Sequence, residues 1–456
     1  MSDKKIQCLF LAAILIFAAF VAYIPHINYP FPLHVDEWFH ITIADEIART
    51  NSFLTEDPFT GKLSSNDLEI GYHLFLAGIQ KLTGLGIKIP VILPSILAII
   101  SVLCVFLLAK RWGNDVAYIS AILTALIPSN VTIGGPSLLL PLNLSLIFIP
   151  LSLFIVYHAK NFKHYILLFA INVFILFSHP LTIVPIFLLL FVYAILNLKE
   201  DRKKSGMIFL SMILSFLIVL PRFIPAFSSK GIGAVTYSFW GYVQMIPPLF
   251  GYVPIAFFFI GFYFLTQSKR KEDWTILIGV IIFLLVILFY INTGWLLLFS
   301  YHRTYMPLFI LMVMVAGYGL SKIKIKPVIA IILLIAIALS LQQHFSEQYY
   351  HVIDEREYQD FLWIRDNTQK DAIVLLDPWK ARALPAIAER KVLSVTPFGP
   401  NTDILDFNKE ITNFLDSNCS DTQFLRQYNV SVVYSENGCK NEDLIKVRER
   451  IYTIKG

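Results

Sequence analysis

The sequence predicts a polytopic α-helical membrane protein of about eleven transmembrane helices, followed by a small α/β domain outside the cytoplasm. Composition, the length of the apolar runs and the placement of the basic residues predict it. Of 456 residues, 56% are hydrophobic and only 15% charged, and Phe alone occurs 38 times. A soluble domain carries about 25% charged residues and could not hide that much apolar surface from water. The net charge is a modest +5, so its distribution matters more than its size. The chain shows no nucleic-acid motif, internal repeat or low-complexity tract, so membrane lipids are expected as partners and nucleic acid is not.

Apolar runs suited to crossing ~30 Å of hydrocarbon occur near 6–24, 90–109, 116–131, 140–157, 165–196, 206–220, 248–266, 274–290, 304–320 and 327–342. The first follows a short charged segment, Met1 to Lys5. It is too long for a signal-peptide core and no small-residue cleavage site follows, so it reads as a retained anchor. The run 165–196 breaks at Ser178-His179-Pro180. Proline cannot supply a helix N–H, which makes this run a pair of helices. Ile70 to Leu82 is apolar but would reach only roughly 20 Å as a helix, so it is read as lying at the surface.

With 70–82 left out, every basic cluster falls on one side: Lys4/Lys5, Lys110/Arg111, Lys160/Lys163, Lys199 with Arg202–Lys204, Lys269–Lys271, and Lys322/Lys324/Lys326. The other side keeps Arg222, Lys230 and Arg303 in its short loops. Counting 70–82 as a span would reverse every later loop. The positive-inside rule therefore places the N-terminus in the cytoplasm of a cell (plasma) membrane protein, with the first loop (25–89) and the tail from about 343 outside. The expected domains are 1–342, transmembrane, and 343–456, extracytoplasmic.

The tail alternates. Helix-like Glu355 to Asn367 precedes strand-like Ala372 to Leu376, a helix over Ala381 to Arg390 and a strand over Lys391 to Val395. A helix over Phe407 to Asp416 and a strand over Val430 to Tyr434 complete the α/β pattern. Cys8 and Cys104 fall inside spans and suit apolar packing. Cys419 and Cys439 lie in the outer domain, where a disulfide is chemically permitted; that pairing and two free thiols both stay open.

The first outer loop is polar beyond what a connector needs. It carries His34-Val35-Asp36-Glu37-Trp38-Phe39-His40, then Asp45-Glu46, Glu56-Asp57, Asp67 and Glu69. Phe39, Ile43 and Ile47 recur every four residues, which predicts a helix over 37–49 with an apolar stripe toward the membrane. Asp36 and Glu37 then stand at its positive N-terminal end, with His40 one turn along. A carboxylate there is favoured ionised and suits a general base or a metal ligand. The plainer alternative is that Asp36 only caps the helix. His179 is a lesser candidate, set against a hydrogen-bonded structural histidine.

A first span followed by an outer loop in which Asp36-Glu37 leads an amphipathic helix resembles the GT-C class of membrane glycosyltransferases. That class includes protein O-mannosyltransferases, aminoarabinose transferases and oligosaccharyltransferase catalytic subunits. Gly71-Tyr72-His73-Leu74-Phe75-Leu76 with Lys81-Leu82-Thr83-Gly84 resembles the second juxtamembrane helix of the class. Pro94-Ser95 through Ala109-Lys110-Arg111-Trp112-Gly113 resembles its next span, and Tyr301-His302-Arg303-Thr304-Tyr305-Met306-Pro307 the arginine-bearing start of a late span. The likeness covers 25–130 well and the later spans loosely.

The resemblance implies a single sugar moved from a polyprenyl (dolichyl-type) phosphate to an acceptor hydroxyl on a glycan, lipid or protein at the outer face, with inversion. Such chemistry serves protein glycosylation or cell-envelope glycans. Asp36 is implied as base, with Glu37 as its neighbour or substitute. Arg303 is implied as phosphate ligand and Arg222 as a second candidate, since a guanidinium binds phosphate bidentately; snorkelling is the plainer role for either. His34, His40, Tyr72, His73, His302 and His179 join them as substrate- or phosphate-binding candidates. The second outer loop, Ser129 to Ser137, lacks the acidic residue of many relatives. No cofactor is therefore favoured and transfer is expected to be metal-independent. A divalent cation (Mg²⁺ or Mn²⁺) on Asp36 with Glu56, Asp57 or Glu69 stays open. Leu376-Asp377-Pro378-Trp379-Lys380 stands where oligosaccharyltransferases carry Trp-Trp-Asp-Tyr-Gly, without that motif. En bloc oligosaccharide transfer is thus the alternative within the class. A lipid-linked-sugar flippase or transporter is the alternative outside it, and the near absence of Asp and Glu from the spans weighs against that. A non-catalytic assembly subunit with the same fold is a third.

Overall fold

The structure, a computed structural model, describes residues 3–53, 56–61, 67–223, 249–293, 304–396 and 402–455. Two compact units emerge. Among the described residues, one comprises 3–28, 92–223, 249–293 and 304–349; the other comprises 29–53, 56–61, 67–91, 350–396 and 402–455.

The first unit is a helical bundle. Its helices are α1 (Asp3–Tyr23), α4 (Ile89–Ala109, entered from the second unit), α5 (Asn114–Ala125), α6 (Ser145–His158), α7 (Phe162–Ser178), α8 (Pro180–Asn197), α9 (Arg202–Phe223), α10 (Tyr252–Thr266), α11 (Lys271–Thr293), α12 (Tyr305–Leu320) and α13 (Lys326–Ser346). Helices α2 (Val35–Thr50) and α3 (Ile70–Thr83) belong to the second unit. Seven stretches among the described residues are long and apolar enough to cross a membrane: Lys4–His26, Gly86–Trp112, Pro141–His158, Pro180–Asn197, Arg202–Phe223, Lys271–Thr293 and Lys326–Ser346. Phe162–Ser178, Tyr252–Thr266 and Tyr305–Leu320 are shorter apolar helices. The chain is an integral membrane protein. The run expected at 116–131 becomes α5, which stops at Ala125, three residues before Pro128; the residue before a proline is steered away from helical geometry, which ends such helices early.

Inside the bundle α12 is buried along nearly its whole length. Two glycines set its approach to α10: a methyl group on Gly261 would overlap the Val315 carbonyl, and one on Gly319 the Phe257 carbonyl. Backbones this close are how small residues hold apolar helices together where lipid removes the usual hydrophobic drive. The break at Ser178-His179-Pro180 separates α7 from α8, with Pro180 in the first position of α8 and His179 as its N-cap.

The second unit joins the first loop to the tail. Helices α2 and α3 pack against each other and bury Trp38, Ile41, Tyr72 and Leu76, each side chain contributing about 1.5–3 kcal/mol of apolar burial. The stripe expected to face the membrane is partly covered by protein instead, because the Phe39 ring stacks on Phe59 with centroids 5.7 Å apart. The tail adds α14 (Glu355–Asn367), α15 (Leu384–Ala388), α16 (Thr402–Asp416) and α17 (Thr422–Gln427) to a five-stranded mixed sheet. Its strands are β1 (Ile373–Leu375), β2 (Lys391–Val392), β3 (Val430–Tyr434), β4 (Leu444–Arg448) and β5 (Ile451–Ile454), in the order β2-β1-β3-β5-β4. β1 runs parallel to β2 and β3, while β5 is antiparallel to both β3 and β4. The expected helix over Ala381 to Arg390 is a 3₁₀ turn (Lys380–Arg382) followed by α15. The β4–β5 hairpin was not legible, because β4 is an exposed edge strand with Lys446 and Arg448 where alternation would call for apolar residues. Cys419 and Cys439 form a disulfide.

Main-chain and ring contacts tie loop to tail. The Tyr29 hydroxyl donates to the Ile353 carbonyl at 2.9 Å, Tyr350 N–H to the Leu33 carbonyl at 3.0 Å and Val392 N–H to the Phe59 carbonyl at 2.8 Å. His351 stacks on Tyr29 at 4.0 Å.

Candidate active site

The second unit holds most of the expected site residues, and the start of α2 sorts them. His34 is the N-cap: its Nδ1 accepts from Asp36 N–H at 3.1 Å. Glu37 reaches back and accepts from His34 N–H at 2.9 Å and Leu33 N–H at 2.6 Å. Glu37 is 1% exposed, so its carboxylate satisfies helix-end donors that would otherwise be orphaned. Asp36, one residue earlier, is not the cap. Its side chain is 33% exposed, 3.7 Å from His34 Nδ1, and its carboxylate accepts no hydrogen bond among the described residues. The Asp-Glu pair therefore divides into an anchored carboxylate and an accessible one, both at a positive helix end.

A buried guanidinium faces this region. Arg382 is 2% exposed. It lies over the Phe39 and Phe59 rings at 5.6 and 5.9 Å and donates to the Thr396 carbonyl. Burial pushes its pKa down to about 10, and the nearby carboxylates of Asp36 and Asp57 act in the opposite direction. Nothing in the sequence distinguishes Arg382 from the other basic residues of the tail. Trp379, from the segment compared above with the oligosaccharyltransferase motif, meets Tyr350 edge-on at 5.1 Å, and Tyr350 meets His34 at 5.3 Å. Asp377 in that segment is engaged locally, accepting from Trp379 N–H and Lys380 N–H.

Four more polar residues converge between α2 and α3. Asp67 Oδ2 lies 2.6 Å from His73 Nδ1, His73 Nε2 lies 2.9 Å from His40 Nδ1, and His40 Nδ1 lies 3.9 Å from Glu69 Oε2. Tyr72 packs edge-on against His40 at 5.1 Å, and full burial raises its hydroxyl pKa well above the usual value. Among the described residues, His40, Glu69 and His73 are the set of His, Cys, Asp or Glu side chains whose ligand atoms converge closely enough to hold a metal ion. Glu56 and Asp57 go elsewhere: Glu56 pairs with Lys391 at 3.3 Å, and Asp57 accepts from Phe59 N–H and the Thr60 hydroxyl.

The remaining candidates lie in the bundle or outside the described residues. His179 is buried with Nδ1 2.6 Å from the Thr182 hydroxyl. Arg222 lies in the last turn of α9 with its guanidinium 5.9 Å from the Phe177 ring. Arg303 and His302 fall outside the described residues. The second outer loop is closed on itself: Asn143 accepts from Gly135 N–H and donates to the Gly135 and Leu138 carbonyls.

No family model matches the sequence and no curated protein matches it. Solved structures do. ArnT from Cupriavidus metallidurans bound to undecaprenyl phosphate superposes with a TM-score of 0.64 at 11% identity, over 99% of this chain and 98% of that one. Its apo state gives 0.62 at 12% identity, over 100% and 98%. The chain has the GT-C fold. The oligosaccharyltransferase of Archaeoglobus fulgidus in its apo form shares it, with a TM-score of 0.62 at 14% identity over 93% of this chain and 69% of that one. In this GT-C fold the helical bundle carries the apolar spans, and the tail forms the small mixed sheet.

Proposed function

We propose that the chain is a glycosyltransferase that moves one sugar from a polyprenyl phosphate to an acceptor hydroxyl at the outer membrane face. The observation that carries the reading is the division of the Asp-Glu pair, set in a GT-C fold: Glu37 is committed to the helix end, while Asp36 keeps an accessible carboxylate beside Arg382. Asp36 takes the proton of the acceptor hydroxyl as that oxygen attacks the anomeric carbon. The bond from anomeric carbon to phosphate oxygen breaks, the configuration inverts, and the lipid phosphate leaves with its charge held by arginine, Arg303 being the residue carried over from the resemblance. Undecaprenyl phosphate bound to ArnT supports the donor class, and the lack of a Trp-Trp-Asp-Tyr-Gly motif around Leu376 to Lys380 favours single-sugar over en bloc transfer.

The deciding experiment incubates purified protein with labelled polyprenyl-phosphate sugars. Sugar on an acceptor is expected; translocation of intact lipid-linked sugar without transfer would make the protein a flippase. The proposed orientation places Lys203 in the cytoplasm and residues beyond about 343 outside. Labelling of intact cells should therefore modify Ser417→Cys and spare Lys203→Cys. The reverse pattern would put Asp36 on the wrong face for this reaction.

A further inference from the structure

We propose that His40, His73 and Glu69 form a binding site for a divalent transition-metal ion of the zinc class, braced by Asp67. It ties α2 to α3. The proposal goes beyond the transfer reading and assigns the ion no step in it.

The argument starts with protons. A carboxylate 2.6 Å from His73 Nδ1 holds the ring proton on that nitrogen, so Nε2 presents its lone pair. That lone pair points at His40 Nδ1, 2.9 Å away, and the same His40 nitrogen lies 3.9 Å from the Glu69 carboxylate. Two ring nitrogens and a carboxylate thus converge on one small volume, a donor set that can take a cation in place of the proton shared between the rings. Around a tetrahedral zinc with bonds of about 2.0–2.1 Å, ligand atoms sit about 3.3 Å apart. The three atoms here all lie within 4.8 Å of one another, so side-chain adjustment alone closes the site.

The backbone sets the ligands up. Glu69 immediately precedes α3, and its carbonyl accepts from His73 N–H at 3.1 Å, which stacks the two α3 ligands on one turn. His40 comes from the facing side of α2. His40 and His73 are buried and Glu69 is partly open, so the group is shielded on the histidine side and accessible at the carboxylate. Phe39 and Tyr72 supply ring contacts to the histidines. A carboxylate on the far nitrogen of a ligating histidine is the usual outer-shell device for fixing the ring and raising its basicity, and Asp67 occupies that position. Two imidazoles and one carboxylate select zinc, cobalt, nickel or iron over magnesium, which prefers oxygen and water.

The test uses the full-length protein in detergent, stripped with chelator and titrated with Co²⁺, then Zn²⁺. One Co²⁺ per chain is expected, with visible absorption that Zn²⁺ abolishes and Mg²⁺ does not. His40→Gln, His73→Gln and Glu69→Gln should each weaken binding at least 10-fold. Asp67→Asn, a positioning change, should cost roughly 10–100-fold in affinity while keeping one ion per chain at saturation. Glu69→Gln alters the least buried ligand and keeps the test sound if a histidine variant fails to fold. Asp36→Asn should bind metal normally while losing transfer, which separates this site from the catalytic reading. Wild-type binding no tighter than that of a folded triple His40→Gln/Glu69→Gln/His73→Gln variant overturns the proposal, and so does loss of the ion in Asp36→Asn.

Discussion

Asp273 and Asp36 are both aspartates in the first turn of a helix with an arginine at hand, and the molecule treats them in opposite ways. Asp273, at the start of α11 in the bundle, is 3% exposed and fully used. It pairs with Arg111, accepts from Trp112 Nε1 at 2.9 Å and from the Ser268 hydroxyl at 2.5 Å. Asp36, at the start of α2, keeps an open carboxylate because its neighbours His34 and Glu37 satisfy the helix end. Saturation makes a carboxylate part of the scaffold, and access makes it available for chemistry. Position at a helix start does not tell the two apart; the partners do.

The comparison can be broken most sharply at Asp36. Asp36→Asn keeps shape and should leave the unfolding midpoint unchanged while slowing sugar transfer by roughly 10²–10⁴, the usual worth of a positioned base. A slowing of less than threefold would make Asp36 another scaffold residue. Asp273→Asn should do the reverse. It leaves the buried Arg111 charge uncompensated, at a cost of about 3–5 kcal/mol, seen as a lower thermal midpoint in detergent with turnover per folded molecule preserved.

Asp45 sharpens the contrast through pH. It lines a charged cavity of about 460 Å³ in the second unit with Arg49, Lys81, Lys370, Arg390, Lys391, Glu46, Glu56, Asp57 and Glu389. Burial first, and the Glu389 carboxylate second, push its pKa from 3.8 up to about 7. Because the folded state holds this proton more tightly, the unfolded state gains by ionising first. Stability should fall as pH rises from about 4 to about 7 and level off above. Asp45→Asn removes the effect, so its thermal midpoint should exceed that of wild type by a margin that grows across this window. A constant margin would show that Asp45 does not titrate there.

The smallest effect is expected at Glu37. Glu37→Gln retains one acceptor for the helix-end amides and should cost about 1 kcal/mol of stability, with transfer falling far less than in Asp36→Asn. Equal losses of transfer in the two variants would assign the pair jointly to the chemistry.

The sequence by itself determined the membrane class, the helix starting at the Asp-Glu pair, and most of the tail's elements. Each rests on local signals: apolar run length, charge at a helix end, and alternation over a few residues. Its resemblance to GT-C enzymes around 25–130 pointed to the fold that the solved structures share. The resemblance implied Asp36 as base, but the sequence did not show that Glu37 is the anchored acid, because the cap that separates them uses a histidine in place of the usual Ser or Thr, and His34-x-x-Glu37 carries no recognised signal. Tertiary structure alone decided the rest. His40 and His73 are 33 positions apart in sequence, and their rings meet only because α2 packs on α3. Arg382 comes to Asp36 only because the tail folds onto the first loop. Backbone periodicity constrains a residue's own helix face, whereas a site drawn from several segments is fixed by packing between them, which no local pattern encodes.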